Sequence, residues 1–244
     1  MEAIEINGKI FTVQEVVCNN KNATARLRDN TIIISLPSRW PVHEREKIKS
    51  NLRKRAIRSI ENGRWNVDIG KRLEFEDGET IIVLGNEFQM CFIESRRSRV
   101  RITGRKVEVY AGDNTDKNTT SKLVMKKISE VVMPELMDKI NTLNQKYFQS
   151  KISSVKIKDS VSRWGSCSTH GGITLNFRLL LMPSDILEYV IVHELAHTKY
   201  LSHGPRFWGL VEKIIPDHKE KRRWLKKNGW KANLTKAEPL EEPY

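Results

Sequence analysis

His193-Glu194-Leu195-Ala196-His197, followed after five residues by His203, decides how this 244-residue sequence folds and what it can hold. Two histidines four apart on a helix project from one face, about one turn apart, so both imidazoles can reach one metal ion. The glutamate beside the first histidine then lies next to the metal rather than on it, within reach of a proton on bound water. A third protein ligand beyond the helix leaves a fourth position open for that water, and open zinc sites are catalytic sites. The pattern predicts a Zn2+ centre with His193 and His197 as ligands and Glu194 as the catalytic base of a hydrolase.

The surrounding residues place the motif inside a packed helix. Ile186, Leu187, Val190, Ile191 and Leu195 recur at helical spacing and bury one side. Pro183-Ser184-Asp185 is a start signal, with Ser184 as N-cap and Asp185 as an acid in the first turn. The third ligand has three candidates. His203 lies where Gly204 and Pro205 break the backbone, so the chain can fold back towards the first two histidines. One class of zinc peptidase with this spacing has a glycine before its third histidine. Here the five residues are Thr198, Lys199, Tyr200, Leu201 and Ser202, with no glycine among them. Glu212 on a following helix and His218 after Pro216-Asp217 are the alternatives. Imidazole suits zinc and the spacing is short, which favours His203.

The whole chain sets the class. No apolar run approaches the ~18 residues needed to cross a bilayer, so no membrane partner is expected. Met1-Glu2-Ala3-Ile4-Glu5 has neither a basic leader nor an apolar signal core. Cys18, Cys91 and Cys167 are scattered without paired spacing, which suits a reducing cytoplasm and excludes a cysteine zinc knuckle. The net charge of +13 is concentrated in Arg53-Lys54-Arg55, in Arg97, Arg99 and Arg101, and in the 219–227 segment. Such patches attract acidic partners, nucleic acid or nucleotides among them, although a solvated surface accounts for them equally well.

A β-rich region with one amphipathic helix is expected over 1–118, and a metal-hydrolase domain over 119–235. The boundary is placed in the polar loop Asp113 to Asn118, and 236–244 is read as a disordered tail. In the first part, Asn7-Gly8 and Asp29-Asn30 mark hairpin turns, and a helix over Val42 to Ile60 ends at Asn62-Gly63. In the second, a helical stretch from Ser121 to Phe148 is interrupted by Pro134, strands follow near 153–158 and 172–177, and a basic C-terminal helix ends at Asn228-Gly229. No repeat is evident. In Ser162 to Cys167, Gly165 reads as a turn residue, Trp164 as packing and Arg163 as an anion contact; Phe207 and Trp208 read as packing against the metal helix.

Taken together, several runs resemble the YgjP-like family of metallopeptidases, which is related to the WLM and SprT-like zincins. They are Ser162-Arg163-Trp164-Gly165-Ser166-Cys167-Ser168, Ile173-Thr174-Leu175-Asn176, Tyr189 to His197, and Ser202-His203-Gly204-Pro205-Arg206-Phe207-Trp208. The resemblance spans about residues 120 to 230. It implies His193, His197 and His203 as zinc ligands and Glu194 as general base. It also implies an α+β, zincin-like domain in which a small sheet roofs the cleft above the motif helix. Gly172 to Asn176 would be the roof strand, with Ile173, Leu175 and Asn176 meeting an extended peptide by β-augmentation. The expected activity is hydrolysis of a peptide or protein substrate. A nucleotide pyrophosphatase on the same site, or a protease recruited to nucleic acid by the basic patches, are the rival readings.

Overall fold

Ile32, Ile34 and Leu36 alternate along one strand, so all three point to one face, and all three are buried. That strand, β4 (Thr31–Pro37), runs parallel to β2 (Lys9–Cys18). β1 (Glu2–Ile6) pairs antiparallel with β2, and β3 (Thr24–Arg28) antiparallel with β4, giving the order β1-β2-β4-β3. Helix α1 (Val42–Glu61) packs Ile48, Leu52, Ala56 and Ile60 into the same core, the four-residue spacing expected of an amphipathic helix. These elements form one compact unit, Met1–Arg72; a second spans Leu73–Tyr244. The computed structural model describes residues 2–28, 30–61, 73–112, 115–160 and 163–228 of this α+β chain. The expected helix stop at Asn62-Gly63, Gly229 and the 236–244 tail lie outside the described residues.

The second unit opens with β5 (Thr80–Val83), β6 (Asn86–Glu94), β7 (Arg99–Thr103) and β8 (Lys106–Ala111), in the order β5-β6-β8-β7. Again the middle pair, β6 and β8, is parallel and the outer pairs are antiparallel. Again a helix follows, α2 (Lys117–Leu143). The folded chain therefore contains a repeated ββββα pattern that the sequence reading does not find. Only a few residues match: Gly8 and Gly85 both turn a hairpin at positive φ, and Phe11 and Phe88 both lie buried three residues later. Strand pairing specifies the rest, and many side chains satisfy it.

Helix α2 continues through Pro134 rather than breaking there, and closes in a π turn at Asn144–Phe148. Its buried Val124, Ile128 and Val132 share one core with Val107 and Val109 of β8. Residues 115–118 of the polar loop fall inside the second unit, where the Asp116 carboxylate caps α2 by accepting from the Asn118 and Thr119 N–H groups.

A third sheet carries the site. β9 (Ser154–Lys158), β10 (Gly165–Cys167) and β11 (Gly172–Asn176) lie in the order β10-β11-β9. The strand expected to roof the cleft is instead internal to this sheet. β11 is central, antiparallel to β10 and parallel to β9, so its ladder groups are already engaged on both sides. Ile173 and Leu175 are fully buried in the core rather than facing a cleft. The edge strand beside the motif helix is β10. After β11 a 3-10 turn at Phe177–Leu181 leads into α3 (Ser184–Ala196), followed by α4 (Pro205–Ile214) and α5 (His218–Asn228).

Helix α3 buries more than one side: Tyr189, Val192 and Ala196 join Ile186, Leu187, Val190, Ile191 and Leu195 in the core. Its start also differs from expectation. Pro183 is the N-cap, and the Ser184 hydroxyl makes no capping bond, accepting instead from the Lys139 ammonium. Asp185 does sit in the first turn, where it pairs with Lys221 at 2.6 Å.

Candidate metal centre

Helix α3 ends at Ala196, so His193 lies in its last turn and His197 at its C-cap, where the backbone is still helical. The chain then turns, with the Lys199 and Tyr200 N–H groups both donating to the Ala196 carbonyl. Beyond Tyr200 the chain brings His203 back to the first histidine without the glycine that the sequence lacks. His203 follows in the segment before α4, whose first residue is Pro205. His203 Nε2 then lies 3.0 Å from His193 Nε2. The ligand atoms of His193, His197 and His203 all lie within 4.8 Å of one another.

The donor set fits a metal. Two neutral imidazoles can aim ring nitrogens at each other only by sharing a proton or a metal ion between them. The Tyr200 carbonyl lies 3.1 Å from His197 Nδ1, where it accepts the Nδ1 hydrogen and leaves Nε2 free as a ligand. Burial, helped by the neighbouring imidazoles, holds the His193 pKa down at about 3, so this ring stays neutral as ligation requires. His203 is shifted the same way, first by burial. Phe207 underlies the cluster, its ring centroid 4.9, 4.7 and 4.7 Å from those of His193, His197 and His203. A fully buried phenyl against three imidazoles keeps water off their inner side.

The other two candidates take different roles. Glu212 is ion-paired to Lys219 at 3.1 Å. His218 is buried and stacks on Trp208, centroids 5.6 Å apart. Trp208 in turn stacks on His203, also at 5.6 Å, so α4 packs against the histidine cluster.

Glu194 is 5% exposed, and burial raises its pKa to about 7, against the opposing charge of Arg163. A base poised there accepts a proton at neutral pH and can release it again. Its position depends on a residue that the sequence reading treats only as a turn former. A Cβ added at Gly165 would lie 2.5 Å from Glu194 Oε1 and 2.7 Å from its Cγ. The backbone of β10 therefore rests directly on the glutamate. Gly165→Ala should lower kcat by roughly a hundredfold while leaving metal content unchanged, because ~1 Å of misplacement costs about that much. Metal analysis alongside turnover checks it.

Asn176 is 1% exposed and faces no cleft. Its side-chain amide donates to the carbonyls of Ser160 (2.6 Å) and Arg163 (3.0 Å), and its backbone N–H to that of Trp164 (2.8 Å). Its Oδ1 accepts from the Arg178 N–H at 3.1 Å. This side chain fixes the segment that carries Arg163 and leads into Gly165. Asn176→Ala leaves two part-buried carbonyls and the buried Arg178 N–H without this partner and should cost about 3 kcal/mol, read from the urea midpoint. Arg163 itself is exposed, near enough for its charge to act on Glu194. The contact of Gly165 with Glu194, the Tyr200 carbonyl on His197 and Arg222 over Trp208 all arise through space, and no spacing in the sequence signals them.

The family model for the YgjP-like metallopeptidase domain matches residues 21–228. No curated protein matches this chain. Among solved structures, the crystal structure of the metallopeptidase zymogen of Pyrococcus abyssi abylysin is similar, at 26% identity over 41% of this chain and 98% of that one, with a TM-score of 0.35. With most of its length matched, the chain belongs to the YgjP-like metallopeptidase family.

Proposed function

We propose that this YgjP-like metallopeptidase is a zinc-dependent hydrolase of peptide bonds, with His193, His197 and His203 as ligands and Glu194 as general base. The observation that carries the reading is the convergence of three imidazoles beside one buried glutamate. Zinc held by three protein nitrogens supplies an open position for water, lowers that water's pKa and polarises a carbonyl. Glu194 then takes the proton from the water and delivers it to the leaving amine, a shuttle that suits its raised proton affinity. Gly165 keeps the carboxylate in place by contact with its flank.

The substrate lies extended along β10. One side of this strand is paired to β11 through Gly165↔Leu175, Ser166↔Thr174 and Cys167↔Ile173, and no second strand of the sheet lies on the other among the described residues. A peptide there gains main-chain hydrogen bonds and brings a carbonyl over the ligand cluster. The zincin-like arrangement expected from the sequence is kept in this reading, with β10 in the place given to β11.

The test is hydrolysis of an unfolded protein by the zinc-loaded chain, run beside a nucleoside triphosphate and the Glu194→Gln variant. Glutamate-dependent peptide cleavage is the expected result. Glutamate-dependent release of pyrophosphate, with no peptide cleaved, would replace this reading by the nucleotide one.

A further inference from the structure

Helix α5 is crowded with cations, but in its first two turns most of them are spoken for. Lys219 pairs with Glu212 at 3.1 Å, Lys221 with Asp185 at 2.6 Å and Asp217 at 2.9 Å, and Arg223 lies 3.7 Å from Glu220. Arg222 differs. Among the described residues no carboxylate lies within ion-pair distance of it, and its guanidinium sits 5.2 Å from the Trp208 ring centroid. Trp208 stacks on His203, so this exposed cation rests one ring away from the metal ligands. Its charge also reaches His193, His203 and the buried Tyr189 phenol.

Arg163 comes from a different element, just ahead of β10, and is likewise exposed without a carboxylate partner among the described residues. Its backbone carbonyl is held by the Asn176 amide, directly ahead of the β10 backbone that rests on Glu194 at Gly165. Two guanidinium groups with no ion-pair partner among the described residues therefore flank the histidine cluster, Arg222 over Trp208 and Arg163 ahead of β10, where its charge is felt by Glu194. A planar fork of donors is suited to a carboxylate or a phosphate.

We propose that Arg222, laid over Trp208, and Arg163, held by Asn176, are cationic anchors that select peptide substrates carrying an acidic residue next to the bond that is cut. This rests on the peptidase reading above and supplies its substrate class. The arginines are specificity-determining residues that bind the substrate's carboxylate, while the proton is moved by Glu194 alone. Phosphate oxygens share that chemistry, so a nucleoside triphosphate is the competing source of the anion.

Binding separates the two claims. Zinc-loaded Glu194→Gln protein is titrated, by fluorescence anisotropy, with a peptide bearing glutamates, its glutamine counterpart and a nucleoside triphosphate. The acidic peptide should bind more tightly than the neutral one by about tenfold, and Arg222→Gln and Arg163→Gln should each reduce that preference by about threefold to fivefold. Arg223→Gln removes the same charge from the same helix and should leave the preference intact, which distinguishes a local anchor from net charge. Equal binding of both peptides, or equal loss in the Arg223 variant, overturns the proposal. So does triphosphate binding that Arg222→Gln weakens while the peptides show no charge preference. Cleavage by the wild-type enzyme is read separately. If the acidic peptide binds through both arginines yet is never hydrolysed, the anchors stand and the peptidase reading falls.

Discussion

Glu194→Gln should abolish hydrolysis, lowering kcat by at least about a thousandfold, while the protein keeps its full metal content. The amide matches the shape of the carboxylate but cannot accept the proton, so every contact except the chemical one is preserved. Turnover with metal analysis on the same sample checks this, and retained activity in a loaded variant would falsify the role of Glu194. The substitution has a second effect in the metal-free protein. There the folded chain keeps the Glu194 proton until pH about 7, whereas the unfolded chain releases it near the ordinary value of 4.5. Between those values the folded state binds more protons, so stability falls as pH rises through the window. The loss at pH 8 is up to about 3 kcal/mol. Metal-free Glu194→Gln should therefore unfold at higher urea than wild type at pH 8, with the difference vanishing below pH 4.5.

Loss of His193 should be as damaging by another route. Structural zinc sites with four ligands bind with about 10–16 kcal/mol, so one ligand is worth roughly 3 kcal/mol and its loss weakens zinc by on the order of a hundredfold to a thousandfold. His193→Ala should accordingly be inactive at ordinary zinc and lose the ion first to a chelator titration. Its pH signature is opposite to that of Glu194. The unfolded chain protonates this histidine near 6.5, but the buried ring accepts no proton until about pH 3. Between those values the unfolded state binds more protons, so metal-free wild type loses stability as pH drops through the window, by up to about 5 kcal/mol at its lower end. The alanine variant carries a cavity penalty at every pH and lacks this acid-side loss. Its urea midpoint should consequently change less than that of wild type between about pH 6.5 and about pH 4. A steeper fall in the variant would assign the acid sensitivity to other groups.

Local pattern was enough for much of the molecule. The HExxH spacing is itself a geometric statement, since a helix places residues four apart on one face whatever surrounds it. The turn at Asn7-Gly8 follows from its residue types, and the helix over 42–61 and the apolar face of α3 from a period of 3.6. Pairing between distant strands has no such local record. The family resemblance implies that β11 roofs a cleft, yet β9 and β10 enclose it and its Ile173 and Leu175 enter the core. The repeated ββββα pattern stays hidden for the same reason: ladder hydrogen bonds are made by the backbone, and the backbone carries no sequence.

The site divides along that line. Residue identity and helical period determined which imidazoles could ligate, which glutamate stood beside them, and that His203 was near enough to be a candidate. Tertiary structure decided the remainder: the Tyr200 carbonyl against His197, the β10 backbone pressed on Glu194 at Gly165, and the convergence of His203 with His193 and His197 while Glu212 is ion-paired and His218 is buried. It also decided that Arg222, one cation among many on α5, would lie over Trp208, which stacks on His203. Each of these depends on packing between segments far apart in the chain, and proton affinities near 3 and 7 arise only once burial has removed water from His193 and Glu194.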